Sequence, residues 1–269
     1  MQQVGVVGYG VVGKAITATF KTYCHKVVVN DIDYRKKDFN TPSFCTLETI
    51  FYSDVIFICV PTPFTTTNFP IYTEDLDINN ILKILRKFDR IAQKDTTDHI
   101  PVIVIKSTVP VGTIDYLAHA FPLLCIAYNP EFLRQRYSYN DALNPDRIII
   151  GTNEQVAKDA LMKLYHWIPC PIFLVDPKTA ELAKLLSNAF LVTKVAFSQQ
   201  IREAVNLFGI EVFPERLLTS DPRIGPSHLN SDMGKIPKDS PCLPKDMKEI
   251  MRSVPTSFFK VIFTEAIEQ

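Results

Sequence analysis

Seven short apolar runs mark the first two-thirds of the chain: "VGVVG", "KVVVND", "VIFICV", "PVIVIKS", "LLCIAYN", "RIIIG" and "PIFLVD". Longer segments of helical period separate most of them. Strands that are nearly all apolar, rather than alternating, belong in a sheet covered on both faces, so the pattern predicts a mostly parallel, doubly wound α/β sheet. The grammar changes near Asp176. From Lys178 to Phe208 the chain holds neither proline nor glycine and keeps helical spacing, which predicts one long helix of about eight turns. The expected division is therefore residues 1–177 for the sheet domain and 178–269 for a helical domain. Leu182, Leu185, Leu186, Ala189, Phe190, Val192 and Phe197 cover more than a narrow stripe of that helix. Such a helix needs cover on several sides, and a homodimer built on it is expected. The segment "DPRIGPSHLNSDMGKIPKDSPCLP" is long for a structureless loop, which favours a functional role.

Composition narrows the function classes. The 269 residues carry 29 Lys+Arg and 29 Asp+Glu, so the overall basic field of a nucleic-acid binder is missing. No apolar run approaches the roughly 20 residues that cross a bilayer, and the N-terminus enters a strand pattern directly, so the cytoplasm and no membrane contact are expected. Six scattered cysteines without a CxxC pair form neither a disulfide framework nor a metal site. Cys59 and Cys125 lie within apolar runs and read as small buried hydrophobes.

The first chemical motif is "VGVVGYGVVGKA", a strand followed by Gly8-x-Gly10-x-x-Gly13 and a helix. Gly8 permits the tight turn, Gly10 lets a pyrophosphate approach, and Gly13 lets helix and strand pack closely. Tyr9, Val11 and Val12 complete this Rossmann-like phosphate turn. Asp31 follows Gly13 by 18 residues at the end of the next strand, where an acid binds ribose hydroxyls and repels a 2′-phosphate. NAD is the expected cofactor, with Arg35 and Lys36 nearby as the residues that could favour NADP.

Further segments follow the strands at their C-terminal ends: "CVPTP" (59–63), "STVPVGT" (107–113), "NPEFLR" (129–134) and "NPDRIIIG" (144–151). With "AELAKLLSNAFL", "DPRIG" and "CLPKD" (242–246), in this order, the chain resembles the UDP-glucose/GDP-mannose dehydrogenase family over essentially its whole length. The resemblance implies NAD-dependent, four-electron oxidation of a nucleotide-sugar alcohol to a carboxylate, with UDP-glucose the first choice. It implies that Cys242 is the nucleophile holding a thiohemiacetal and then a thioester, and that Lys184 and Asn188 stabilise the oxyanion. Glu131, Asp246 and Thr108 would organise proton transfer and the hydrolytic water. Pro61, Thr62, Pro63 and Thr108 would line the nicotinamide side, and Phe132, Leu133 and Arg134 would lie on the substrate side. Apart from the resemblance, the loop lysines Lys235, Lys238 and Lys245 could meet a substrate diphosphate, although loop lysines are more often solvated.

The residues themselves support part of this scheme. Lys184 and Asn188 are four apart and share a helix face, a cation and an amide donor suited to a developing alkoxide. Cys242 precedes Pro244 at the start of a predicted helix, with Lys245 and Lys248 near, which favours a thiolate. Read alone, Lys184 is equally a solvated helix lysine and Asp246 a first-turn helix acid. Glu131 is equally a surface acid or a partner of Arg134, and Thr108 could cap the segment after its strand. The chain departs from the family in three places. "MGKIPKDSP" stands where a GPGFGGS loop is usual, Gln135 stands where a second acid is common, and the sequence stops where a C-terminal nucleotide-binding domain would follow. Two other readings therefore stand beside the first: an NAD-binding scaffold or partner-regulating protein with weakened catalysis, and a two-electron, hydroxyacid-type dehydrogenase.

Overall fold

The computed structural model describes all residues except 1, 24, 34, 36–42, 68–72, 98, 212, 214, 230–233 and 269, and excludes the side chains of 65–67 and 73–75. Cys24, Lys36 and Met233 thus lie outside the described residues. Packing divides the chain into two compact units, Met1–Lys184 and Leu185–Gln269.

In the first unit the chain runs through β1 (Gln3–Val7), α1 (Val11–Thr22), β2 (Lys26–Asn30), α2 (Leu47–Phe51), β3 (Val55–Ile58), β4 (Phe64–Thr67) and β5 (Thr73–Leu76). It continues with α3 (Asn79–Ala92), β6 (Val102–Ile105), α4 (Thr113–Ala120), β7 (Cys125–Tyr128), α5 (Ser138–Leu143), β8 (Ile148–Gly151), α6 (Gln155–Tyr165) and β9 (Ile172–Val175). All seven apolar runs become strands of one sheet, in the order β2-β1-β3-β6-β7-β8-β9. Every neighbouring pair is parallel except β7 and β8, which meet antiparallel at Tyr128 and Gly151. The antiparallel hairpin of β4 and β5 was not expected from the sequence.

Alternate strand residues feed two apolar cores, as strands covered on both faces require. Val7, Ile56, Ile58, Ile103 and Ile105 pack with Phe51, Leu85, Phe88 and Leu117. Val6, Val29, Phe57 and Val104 pack on the other face with Ile16, Phe20 and Leu161. The edge strand β9 departs from this rule, with Phe173 and Leu174 exposed. Because β2 and β3 flank β1 on opposite sides, the chain reverses direction across the sheet at β1, the position where ligands bind in such folds.

The expected long helix is α7 (Pro177–Leu207), 31 residues, and the boundary between the two units falls inside it. The second unit continues through α8 (Arg216–Thr219), α9 (Leu243–Ser253) and α10 (Ser257–Ala266). On α7, Leu185, Ala189 and Val192 are buried, whereas Leu186, Phe190 and Phe197 are exposed.

Candidate functional site

The glycine turn has the geometry its three positions call for. Gly8 sits at φ +95, and a Cβ there would meet the Cys59 carbonyl oxygen at 2.6 Å. A Cβ on Gly13 would lie 1.9 Å from the Gly8 carbonyl oxygen, so only glycine allows this approach of α1 to β1. At Gly10 nothing lies within 4 Å, which leaves the space a pyrophosphate needs. No side chain caps α1 and its first turn holds no acid, so its N-terminal amides remain oriented for an anion. Asp31, 6% exposed, closes this corner: one carboxylate oxygen accepts from the Tyr9 amide at 2.6 Å and the other from the Asp33 amide at 2.8 Å. The Arg35 guanidinium, one of the two cations that could have favoured a 2′-phosphate, pairs with Asp33 at 2.8 Å.

The segments after β3 and β6 are stitched together. Thr62 Oγ1 donates to the Thr108 carbonyl at 2.8 Å, and Ser107 Oγ to the Val60 carbonyl at 2.6 Å. Thr62 and Thr108 are buried, whereas Pro61 and Pro63 are exposed. Beneath them, burial pushes the Cys59 thiol up to about 12, consistent with a packing role.

After β7 the NPEFLR segment builds a charged cluster. Lys184 Nζ donates to Glu131 Oε1 at 3.0 Å, and the two side chains are only 3% and 14% exposed. Glu131 Oε2 accepts from the Leu133 amide at 2.7 Å. Burial alone would raise the Glu131 carboxyl. The Lys184 charge and hydrogen bond, the Leu133 amide and the charge of Lys106 outweigh it and hold the acid below its ordinary range. Phe132 is flanked by two cations, with the Arg147 guanidinium 4.1 Å and Lys184 Nζ 5.4 Å from its ring centre. Lys184 is therefore not a solvated helix lysine, and Glu131 is neither a surface acid nor the partner of Arg134. Arg134 instead pairs with Asp141 at 2.6 Å, because the short helix α5 brings that acid back under it.

In the second unit, Asn188 Nδ2 donates to Asp246 Oδ2 at 2.6 Å, and both residues are buried. Lys245 Nζ lies 3.0 Å from Asp246 Oδ1. The first-turn position of Asp246 on α9 thus does not exhaust its role, because a solvated helix acid would not be 1% exposed. Cys242 is exposed and occupies the N-cap position of α9, where its carbonyl accepts from the Asp246 amide at 3.0 Å. Pro244 stands at the second helical position. Lys235 Nζ donates to the Thr264 carbonyl at 2.9 Å, so this lysine, like Lys245, already has a protein partner. Lys184 and Asn188, one turn apart on α7, each meet a carboxylate.

Four residues of the first unit escaped sequence reasoning. Lys106, Asn129 and Tyr165 form a buried hydrogen-bonded group, and Glu181 caps α4 by accepting from the amides of Gly112 at 2.5 Å and Ile114 at 2.8 Å. A lysine closing an all-apolar strand run was the available signal for the first. Among the described residues no group of three or more His, Cys, Asp or Glu could hold a metal ion, and no helix is long and apolar enough to cross a membrane.

Comparison with known proteins connects these features. Residues 37–168 match the NAD-binding domain of the UDP-glucose/GDP-mannose dehydrogenase family, and residues 178–269 match that family's central domain. The first match begins after the glycine turn and Asp31, so their assignment rests on their own geometry. A UDP-glucose 6-dehydrogenase of Bacillus subtilis is 32% identical over 208 residues, covering 74% of this chain and 44% of that protein. Its counterpart in Rickettsia bellii is 29% identical over 262 residues, 94% of this chain and 56% of that protein. The chain thus spans about half the length of these relatives. A UDP-glucose dehydrogenase structure from Pyrobaculum islandicum superposes with a TM-score of 0.84 at 25% identity, over 99% of this chain and 68% of that one. A 3-hydroxyisobutyrate dehydrogenase of Mycobacterium tuberculosis shares the fold, with a TM-score of 0.71 at 13% identity over 98% and 92%.

Proposed function

The chain belongs to the UDP-glucose/GDP-mannose dehydrogenase family, with NAD as its cofactor, and from that premise we propose that it oxidises the C6 alcohol of a nucleotide sugar, UDP-glucose first, to the carboxylate. Bound at the glycine turn, NAD supplies the hydride acceptor, two equivalents for the four electrons. The proposed balance is one alcohol, two NAD and one water giving one carboxylate, two NADH and three protons. Cys242 adds to the aldehyde as thiolate, keeps the carbon bound through the second oxidation, and leaves as water cleaves the thioester. Lys184 and Asn188 donate to the oxygen that carries the developing negative charge. Glu131 and Asp246 accept protons, while Thr62, Thr108 and the flanking prolines shape the nicotinamide side. Phe132, Leu133 and Arg134 belong to the substrate side. The observation that supports this reading best is the burial of Lys184 and Asn188 one helical turn apart, each bonded to a carboxylate.

The deciding experiment uses UDP-glucose, excess NAD, and the parent beside Cys242→Ser. The parent should yield two NADH per sugar and release UDP-glucuronate. The serine variant should lose acid formation by about two orders of magnitude or more while keeping its NAD affinity, because a hydroxyl is a far poorer nucleophile than a thiolate at neutral pH. Equal acid formation by the two proteins would put the two-electron, hydroxyacid-type reading first. A parent that reduces no NAD with any UDP- or GDP-sugar would leave the non-catalytic NAD-binding scaffold.

Assembly belongs to the same reading. The exposed Leu186, Phe190 and Phe197 of α7 form an apolar stripe that a second copy of the chain would cover. Sedimentation should give a dimer at micromolar concentration, and a stable 30.5 kDa monomer would end this part of the proposal.

A further inference from the structure

Lys106 closes β6 and lies 7% exposed among apolar strands, an expensive place for an ammonium group. Its Nζ donates to Asn129 Oδ1 at 2.8 Å and to the Pro130 carbonyl at 3.4 Å. Asn129 is fixed from every side. Its amide donates to the Ile105 carbonyl, its Oδ1 also accepts from Tyr165 at 2.6 Å, and its Nδ2 donates to the Ile149 carbonyl at 2.7 Å. The next residues are Pro130 and Glu131, so this network sets the exit of β7 into the turn that carries the carboxylate paired with Lys184. We infer that Lys106 is a positioning residue of this site: its buried ammonium fixes the turn that presents Glu131 to Lys184 and supplies that carboxylate with a second positive charge.

The inference deepens the proposed oxidation, and its chemical meaning rests on that reading. With Lys106, Lys184 and Glu131 all ionised, the cluster carries a net charge of about +1, which suits an oxyanion formed nearby. Loss of the Lys106 proton would remove that excess. The groups facing Lys106 are Cys59 after β3, Glu131 after β7, Lys184 on α7 and, through Asn129, Tyr165 on α6. Burial pushes Lys106 down to about 8 against the pull of Glu131, while Lys184 repels it further, so half of the excess charge is gone by about pH 8. A neutral hydrogen-bonding residue such as glutamine could have fixed Asn129 without the desolvation cost, so the retained cation points to a use for its charge.

The test needs neither substrate nor turnover. In protein labelled with ¹³C at the glutamate carboxyls, the Glu131 signal, assigned with Glu131→Gln, is followed from pH 4 to 10. The parent should show the Glu131 step at acid pH and a second inflection near pH 8 as Lys106 loses its proton. Lys106→Met, similar in length and apolar, should abolish the second inflection and raise the Glu131 midpoint by about one unit. A lysine that only packs would alter the melting temperature but neither feature. Absence of the second inflection in the parent overturns the inference, and so does an unmoved Glu131 midpoint in Lys106→Met. If that variant does not fold, the parent titration alone decides. Both features intact in a protein that oxidises no nucleotide sugar would uphold Lys106 as the positioning residue and sink the oxidation instead.

Discussion

Glu131 and Glu181 are acids of the same unit, both shielded from water and both tied to the first turns of α7, yet they ionise in opposite senses. Glu131 meets Lys184 at 3.0 Å, with Lys106 contributing a second charge, and stays below the ordinary carboxylate range. Glu181, fully buried three residues before Lys184, accepts from the amides of Gly112 and Ile114 without an ion-pair partner among the described residues, and burial pushes it up to about 7 against those amides and the charge of Lys178. Two amide hydrogen bonds and the N-terminus of α4 do not replace a formal counter-charge once water is excluded. One acid is thus kept anionic where the proposed chemistry needs a proton acceptor. The other is a structural clasp whose charge is held at a cost.

Removing the counter-charge from Glu131 should produce the largest effect. Lys184→Met leaves that carboxylate shielded with only the Leu133 amide and the more distant Lys106, and breaking such a pair costs about 3 kcal/mol or more of folding stability. Urea denaturation at pH 8 measures it. The double variant Lys184→Met with Glu131→Gln should recover most of the loss, because no uncompensated charge remains. A single-variant cost below about 1 kcal/mol would mean that Glu131 does not depend on its pair, and the contrast with Glu181 would lose its basis.

Much of this architecture is visible in the sequence. The seven strands could be found because each coincides with an apolar run, which in all but β9 fills the two cores, and α7 because residues 178–208 pass without proline or glycine. The glycine turn was legible because Gly8 and Gly13 answer steric demands, and Gly10 leaves open space, within about ten residues of chain. The β4–β5 hairpin was not, since its two strands pair apart from the main sheet and "FTTTNFPIYTEDL" has no unbroken apolar run to mark them. Lys184 shows the other limit. A helix lysine has the same local sequence whether solvated or buried, and only the arrival of Glu131 from 53 positions away decides between them. Arg134 was the nearer partner for Glu131 by sequence, but α5 returned Asp141 to it, and tertiary geometry overruled proximity.

Glu181 offers the subtler test, because two forces oppose each other there. Burial favours the neutral acid, whereas the Gly112 and Ile114 amides and the start of α4 favour the anion. With a folded-state pKa of about 7 against 4.5 in the unfolded chain, the native state binds more protons between those values. Stability attributable to this group therefore falls as pH rises from 4.5 to 7, and its full cost is present above pH 7. The corresponding free energy is at most about 3 kcal/mol. Glu181→Gln cannot ionise, and its amide nitrogen opposes one of the two backbone donors, so the variant should start less stable by about 1 kcal/mol. The informative quantity is how that difference changes with pH. Measured by urea unfolding at pH 5 and pH 8, the advantage of the parent over Glu181→Gln should shrink or reverse as pH rises. An advantage that grows toward pH 8 would show that the α4 amides hold Glu181 as an anion as firmly as Lys184 holds Glu131.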